Sequence, residues 1–175
     1  MKNGKLIAVS ALSTALSIVF LVIGVYFQTF DLSALFTASL MVMIPLSKNS
    51  YKGALLTYVS TAILAFVFSM GRFHVPLLYA VFFGIHPIVN FFQMQKGSKF
   101  WFLYIVKCVW FIGVCFLMFY AFAMFTDIPH LDSPFIKNIL PLIIVLLGLV
   151  FYILYDLIMI KFQKMSFRIV KRLGL

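Results

Sequence analysis

Along the chain, long apolar runs alternate with short polar breaks. A membrane-crossing helix needs about 20 mostly apolar residues, with a working range of about 17 to 25. The pattern predicts six such spans, at 6–27, 32–46, 51–68, 76–92, 100–125 and 135–160. The second is short and carries Ser33, Thr37 and Ser39. The fourth opens on Pro76, a residue tolerated in a first helical turn. Only a few residues connect one run to the next. Lys2 and Lys5 ahead of an apolar run suit a secretory leader, but the run is too long and no small-x-small cleavage site follows it, so it is read as a helix. The basic segment 161–175 is expected as a short cytoplasmic tail. It is either a plain stop-transfer anchor or a short amphipathic helix on the inner leaflet, with Phe162, Met165, Phe167 and Ile169 as its apolar contacts.

Composition narrows the picture. The 175 residues are 65% hydrophobic and 10% charged, against about 25% charged in an ordinary soluble domain. That excludes a soluble globular enzyme, a disordered regulator and a nucleic-acid-binding domain. The net charge of +10 taken alone would suit a nucleic-acid partner, but the placement of the charges argues against one. With the N-terminus inside, the inner segments hold 11 of the 14 basic residues. The outer loops hold only Arg72 and Lys137, together with three of the four acids, Asp31, Asp127 and Asp132. This is the positive-inside distribution. The expected fold is therefore an all-α integral membrane protein: a compact bundle of six transmembrane helices, one domain over 1–175, both termini cytoplasmic. The basic excess is a topology signal that also suits contact with anionic lipid in the surrounding bilayer. Cys108 and Cys115 share one apolar run, so no disulfide framework is indicated.

Strongly polar groups inside a bilayer are costly and mark functional candidates. His86 lies about 15 Å into the fourth span at about 1.5 Å per residue, close to the expected midplane. Pro87 follows and removes an N–H, which predicts a kink. Asn90 and Gln93 continue the same face. Two readings stay open: a ligand-contacting or gating stripe, or a histidine hydrogen-bonded to a neighbouring helix. A second cluster falls in the outer loops: Gln28 and Asp31, then Arg72 and His74, then Asp127, His130, Asp132, Lys137 and Asn138. An arginine there can hold a carboxylate or phosphate bidentately. Asp31 could equally cap the second helix, and Asp132 and Lys137 could pair with each other or stay solvated. Tyr26, Phe27, Phe30, Phe73 and Tyr79 would line a capture site or form an interfacial belt. Lys107 and Asp156 fall in the fifth and sixth spans near the inner side, where a buried charge needs a partner, and are expected to form a structural ion pair. Lys107 could instead snorkel to the headgroups.

No His-Glu-x-x-His pattern, acidic diphosphate motif or glycine-rich phosphate loop is present, and no carboxylate pair shares a helix face at catalytic spacing. No catalytic residue, cofactor or metal ligand is assigned. The chain carries no nucleotide-binding domain, so active transport would need energy from a partner.

The first span opens with Ala8, Ser10, Ala11, Ser13, Thr14 and Ala15. Ala11 and Ala15 are four apart and share a face, with Ala8 and Ser10 extending it. Ala34 with Ala38, and Thr57, Thr61 and Ala65, repeat the pattern. Small faces allow close helix approach in lipid, either within the bundle or against a partner. Short-looped helices numbering six, cytoplasmic ends, basic flanks and Ala-x-x-x-Ala near the start of the first helix resemble the S component of an energy-coupling factor transporter. The resemblance implies a membrane subunit that captures a vitamin or related small solute at the bacterial plasma membrane. It implies assembly with a coupling transmembrane subunit and two ATPase subunits, docking through Ala8, Ala11 and Ala15. It also implies capture by the outer loops and outer helix halves, with Gln28, Asp31, Arg72, His74, Tyr79, His86, Asn90, Lys137 and Asn138 as candidate contacts. The stretch Leu77 to Pro87 is similar to a motif in six-helix membrane proteins of Gram-positive bacteria. Size and helix count also resemble an envelope scaffold, the rod-shape morphogenesis subunit, which would need no ligand pocket. A stand-alone channel or carrier is the weakest reading, since so few intramembrane polar groups offer little pathway unless copies of the chain associate.

Overall fold

The computed structural model describes residues 2–96, 102–125 and 134–172. The described residues are helical almost throughout, with no strand among them. The elements are α1 (Lys2–Tyr26), α2 (Asp31–Ser47), α3 (Tyr51–Phe68), α4 (His74–Leu78), α5 (His86–Lys96), α6 (Phe102–Phe125) and α7 (Pro134–Arg172). A short 3-10 turn, Gln28–Phe30, leads into α2, and a π-helical turn, Tyr79–Phe83, follows α4. Five helical stretches are long and apolar enough to cross a membrane: Gly4–Tyr26, Tyr51–Phe68, His74–Lys96, Phe102–Tyr120 and Ile139–Arg168. The remaining apolar helix, α2, has 17 residues, or about 25 Å at 1.5 Å per residue, against a hydrocarbon core of about 30 Å. The chain is all-α in a form that fits a multi-pass membrane protein.

The helices fall into two units: Met1–Gly97 with Met159–Leu175, and Ser98–Ile158. The first unit is built on close helix approach. A Cβ on Gly24 of α1 would stand 2.7 Å from the Ala34 Cβ of α2, so only glycine lets the backbones meet there. Ala34, Ala38, Ala54 and Ala65 are buried, as are Thr57 and Thr61. The small faces of α2 and α3 are thus spent inside the unit. Hydroxyls bind the helices across this interface. Ser10 Oγ donates to the Gly53 carbonyl at 3.2 Å, Thr57 Oγ1 to the Ser10 and Gly53 carbonyls at 3.3 and 3.0 Å, and Ser17 Oγ to the Ala38 carbonyl at 3.1 Å. Apolar lipid supplies no hydrophobic drive between helices, so close packing and such bonds hold them together.

The segment expected as a tail continues α7 as helix to Arg172. From Met159 onward it belongs to the first unit and packs there. Ser39 Oγ meets Met159 Sδ at 3.8 Å, the Phe162 ring stands edge-on to Phe36 at 5.9 Å, and Phe167 stacks on Phe91 at 5.3 Å. Gln163, fully buried, donates from Nε2 to the Pro87 carbonyl at 3.3 Å. One residue in each of three successive turns (Met159, Gln163, Phe167) has a partner on α2 or α5.

The second unit pairs α6 with the earlier part of α7. Lys107 meets Asp156, Phe111 meets Phe151 and Tyr152, and Cys115 lies by Gly148. As the number rises on one helix it falls on the other, so the pair is antiparallel.

Candidate functional site

The residues expected at a site fall into four places. The first is the cluster at the α1–α2 and α3–α4 connections. The α3–α4 turn bends through Met70 at φ 46° and Gly71 at φ 90°, left-handed conformations that favour glycine. It returns Arg72 to the end of α1. There Arg72 Nη1 donates to the Val25 carbonyl at 3.3 Å, and its guanidinium stands 5.6 Å from the Tyr26 ring centre. Tyr26 in turn reaches the Phe68 carbonyl at 3.5 Å. Arg72 therefore ties α1 to the α3–α4 turn while remaining exposed to solvent.

His74 Nε2 lies 3.3 Å from Asp31 Oδ2, linking the start of α4 to the start of α2. The N-cap position of α2 is Phe30, and no side chain caps there. Asp31 instead sits in the first turn, where its charge also meets the positive end of the helix dipole. Its other oxygen, Oδ1, is buried with no hydrogen-bond partner among the described residues. This cluster therefore offers one carboxylate oxygen and one guanidinium with unused capacity, rimmed by exposed Phe27, Phe30 and Phe73. The side chains of Gln28, Lys137 and Asn138, and all of Asp127, His130 and Asp132, lie outside the described residues.

The second place is the broken span His74–Lys96. The break precedes the expected proline kink. Gly84 N donates to the Tyr79 carbonyl at 2.8 Å, five residues back, which defines a π turn. Such turns recur at functional sites. The displaced Ala80 carbonyl takes the Tyr58 hydroxyl of α3 at 2.7 Å. A Cβ on Gly84 would approach the Tyr58 ring to 2.6 Å and the Tyr79 ring to 2.8 Å, so the turn requires glycine at this point. Pro87 then falls in the first turn of α5, where a missing N–H costs nothing. That position explains why the distortion sits upstream of it.

Tyr79 is fully buried, with its hydroxyl beside Thr61 and Ser17. His86, Asn90 and Gln93 are 0%, 1% and 6% exposed, so the polar stripe faces inward. The His86 ring packs 5.1 Å from Phe82. The structure thus separates Tyr79, His86 and Asn90, which are buried in the first unit, from Asp31, Arg72 and His74, which keep a solvent-facing side.

The third place is in the second unit. Lys107 Nζ lies 2.7 Å from Asp156 Oδ1, with both side chains buried, and 4.7 Å from the centre of the Tyr104 ring. Tyr152 donates to the Tyr104 carbonyl at 3.4 Å. Asp156 also borders a groove of about 360 Å³ between the two helices, with Tyr104, Cys108 and Tyr152 among its walls.

The fourth place is α1. Ala8, Ala11 and Ala15 are exposed, alongside Ile7, Leu12 and Leu16. Ser10, expected to extend the alanine face, instead points inward with Ser13, Thr14 and Ser17. The inward positions 10, 13, 14 and 17 follow helical spacing. Hydroxyls at that spacing are the sequence signal for the buried face.

No group of three or more His, Cys, Asp or Glu side chains able to hold a metal ion occurs among the described residues. No protein-family model, curated protein or solved structure matches the chain.

Proposed function

We propose that the chain is the solute-binding membrane subunit of an energy-coupling factor type importer. In this reading it crosses the bacterial plasma membrane six times, with both termini cytoplasmic, and takes a vitamin or related small solute from outside. The short α2 counts as the sixth span, its 17 residues falling at the low end of the workable range.

The observation that carries the reading is the division of α1 into two small-residue faces. The hydroxyl face is used for internal packing, and the alanine face, Ala8, Ala11 and Ala15, is left outward. A surface of bare alanines permits the close backbone approach that a coupling subunit needs in lipid. The Asp31–His74 pair at the starts of α2 and α4, and Arg72 between α3 and α4, supply a polar rim for solute capture.

A tagged pull-down from native membranes in mild detergent tests this, with partners and retained small molecules identified by mass spectrometry. The expected outcome is recovery of a coupling subunit with two ATPases. Recovery of cell-envelope machinery alone overturns it and favours a scaffold with no small-molecule ligand. One observation supports that second reading: Arg72 already has the Val25 carbonyl and the Tyr26 ring as partners.

A further inference from the structure

One end of the first unit combines an aromatic core, a ring of cations and exposed apolar sides. The Tyr51 ring lies 4.9 Å from Phe91, the Tyr51 hydroxyl donates to Gln95 Oε1 at 2.9 Å, and Phe91 stacks on Phe167 at 5.3 Å with 11° between the planes. These contacts bring the start of α3, the end of α5 and the last turns of α7 to the same place. The end of α2 joins them through a tight turn, in which Ser50 N donates to the Pro45 carbonyl at 3.2 Å and Asn49 takes a φ of 54°. Around this core stand Lys48, Lys52, Lys96, Arg168 and Arg172, all exposed. The single acid in the described part of this unit, Asp31, opens α2 at its opposite end.

Helix ends account for only part of that charge. Three helices finish here and two begin, α3 and also α1, whose Leu6 lies against Gly53. At about half a charge each, this leaves a net excess of about 4.5 positive charges. The cations also border lipid-type surface. Leu55 and Leu56 lie one turn beyond Lys52, Phe92 one turn before Lys96, and Met165 just before Arg168, all with exposed side chains. Lys96 Nζ bends back over the Phe92 ring at 5.7 Å. A soluble anion would match the charges but not the apolar sides. An amphiphile with an anionic head and hydrocarbon tails matches both, in the manner of basic pockets between transmembrane helices that bind acidic lipid headgroups.

We infer that this end of the unit is a binding site for the phosphate headgroup of an anionic phospholipid. Lys52 and Arg168 hold the headgroup from two different helices, and the tails lie along the exposed sides of α3, α5 and α7. The inference does not rest on the transporter reading, and recovery or absence of a coupling subunit leaves it unchanged.

The test is native mass spectrometry of the full chain in neutral detergent, offered equal amounts of phosphatidylglycerol and phosphatidylcholine. The expected result is about a tenfold excess of retained phosphatidylglycerol, falling as salt is raised. Lys52→Gln with Arg168→Gln should reduce that excess to about threefold or less, and Lys48→Gln with Arg172→Gln should lower it in the same direction. Lys52→Arg with Arg168→Lys should keep it. Equal retention of the two lipids by the unaltered chain would overturn the inference. So would loss of the preference in the charge-conserving pair, or displacement of the lipid by millimolar inorganic phosphate, which would mark a site for soluble anions.

Discussion

The two units hold their polar groups by different means. In the first, the buried polar side chains are hydroxyls, amides and His86, and many of their hydrogen bonds go to backbone carbonyls of a neighbouring helix. One of its spans is broken by a π turn. In the second, two regular helices run antiparallel around one buried ion pair, Lys107 with Asp156. Neutral hydrogen bonds each contribute little and can be rearranged one at a time. A buried ion pair is all-or-none, because removing either partner strands the other charge. The first unit therefore spreads its polar stabilisation over many bonds, and the second concentrates it in one pair.

The comparison breaks most sharply at the ion pair. Lys107→Ala or Asp156→Ala is expected to cost about 3–5 kcal/mol by leaving an uncompensated buried charge. Lys107→Met together with Asp156→Leu should recover most of that loss. Thermal unfolding in detergent measures all three, and single variants that melt with the parent would show that the pair does not hold α6 to α7. Next in size is Gly84→Ala, which drives a Cβ into the Tyr58 and Tyr79 rings and should cost about 1–3 kcal/mol. A melting temperature equal to the parent's would mean that the π turn relaxes freely.

Smaller effects test single bonds of the first unit. Tyr58→Phe removes the donor to the Ala80 carbonyl and should cost about 1 kcal/mol. Ser17→Ala removes one donor between α1 and α2, where membrane hydrogen bonds average about 0.6 kcal/mol. If Ser17→Ala proved as costly as Lys107→Ala, the contrast between the units would fail. The smallest effect on stability is expected at the exposed alanine face: Ala11→Leu should change melting by no more than about 0.5 kcal/mol. In the transporter reading the same change abolishes co-purification of the coupling subunit, so unaltered partner recovery would remove α1 as the docking helix.

Helical character is legible because period and length suffice for it: the described residues are helical almost throughout, with five stretches of membrane length. The site was legible only in part. Arg72 and His74 stood out as isolated charges, but their partners, the Val25 carbonyl and Asp31, come from other helices. The π turn was not legible. Pro87 announced a distortion nearby, but its position depends on Gly84 meeting Tyr58 from a different helix. In the segment from 161 on, Phe162 and Phe167 stand out in the sequence as apolar contacts, but their partners, Phe36 and Phe91, and the Pro87 carbonyl that takes Gln163, lie on other helices.

By itself, the sequence determined that this protein is helical and rich in membrane-length apolar stretches, since the hydrophobic period and the rarity of charge are local properties of the chain. Tertiary structure alone decided which small face of α1 is buried. Both faces have helical spacing, and only the hydroxyl face finds carbonyl acceptors on α2 and α3. It also decided that cations far apart in the chain share one end of a unit, because charges become a surface only when packing brings their helices to a common end.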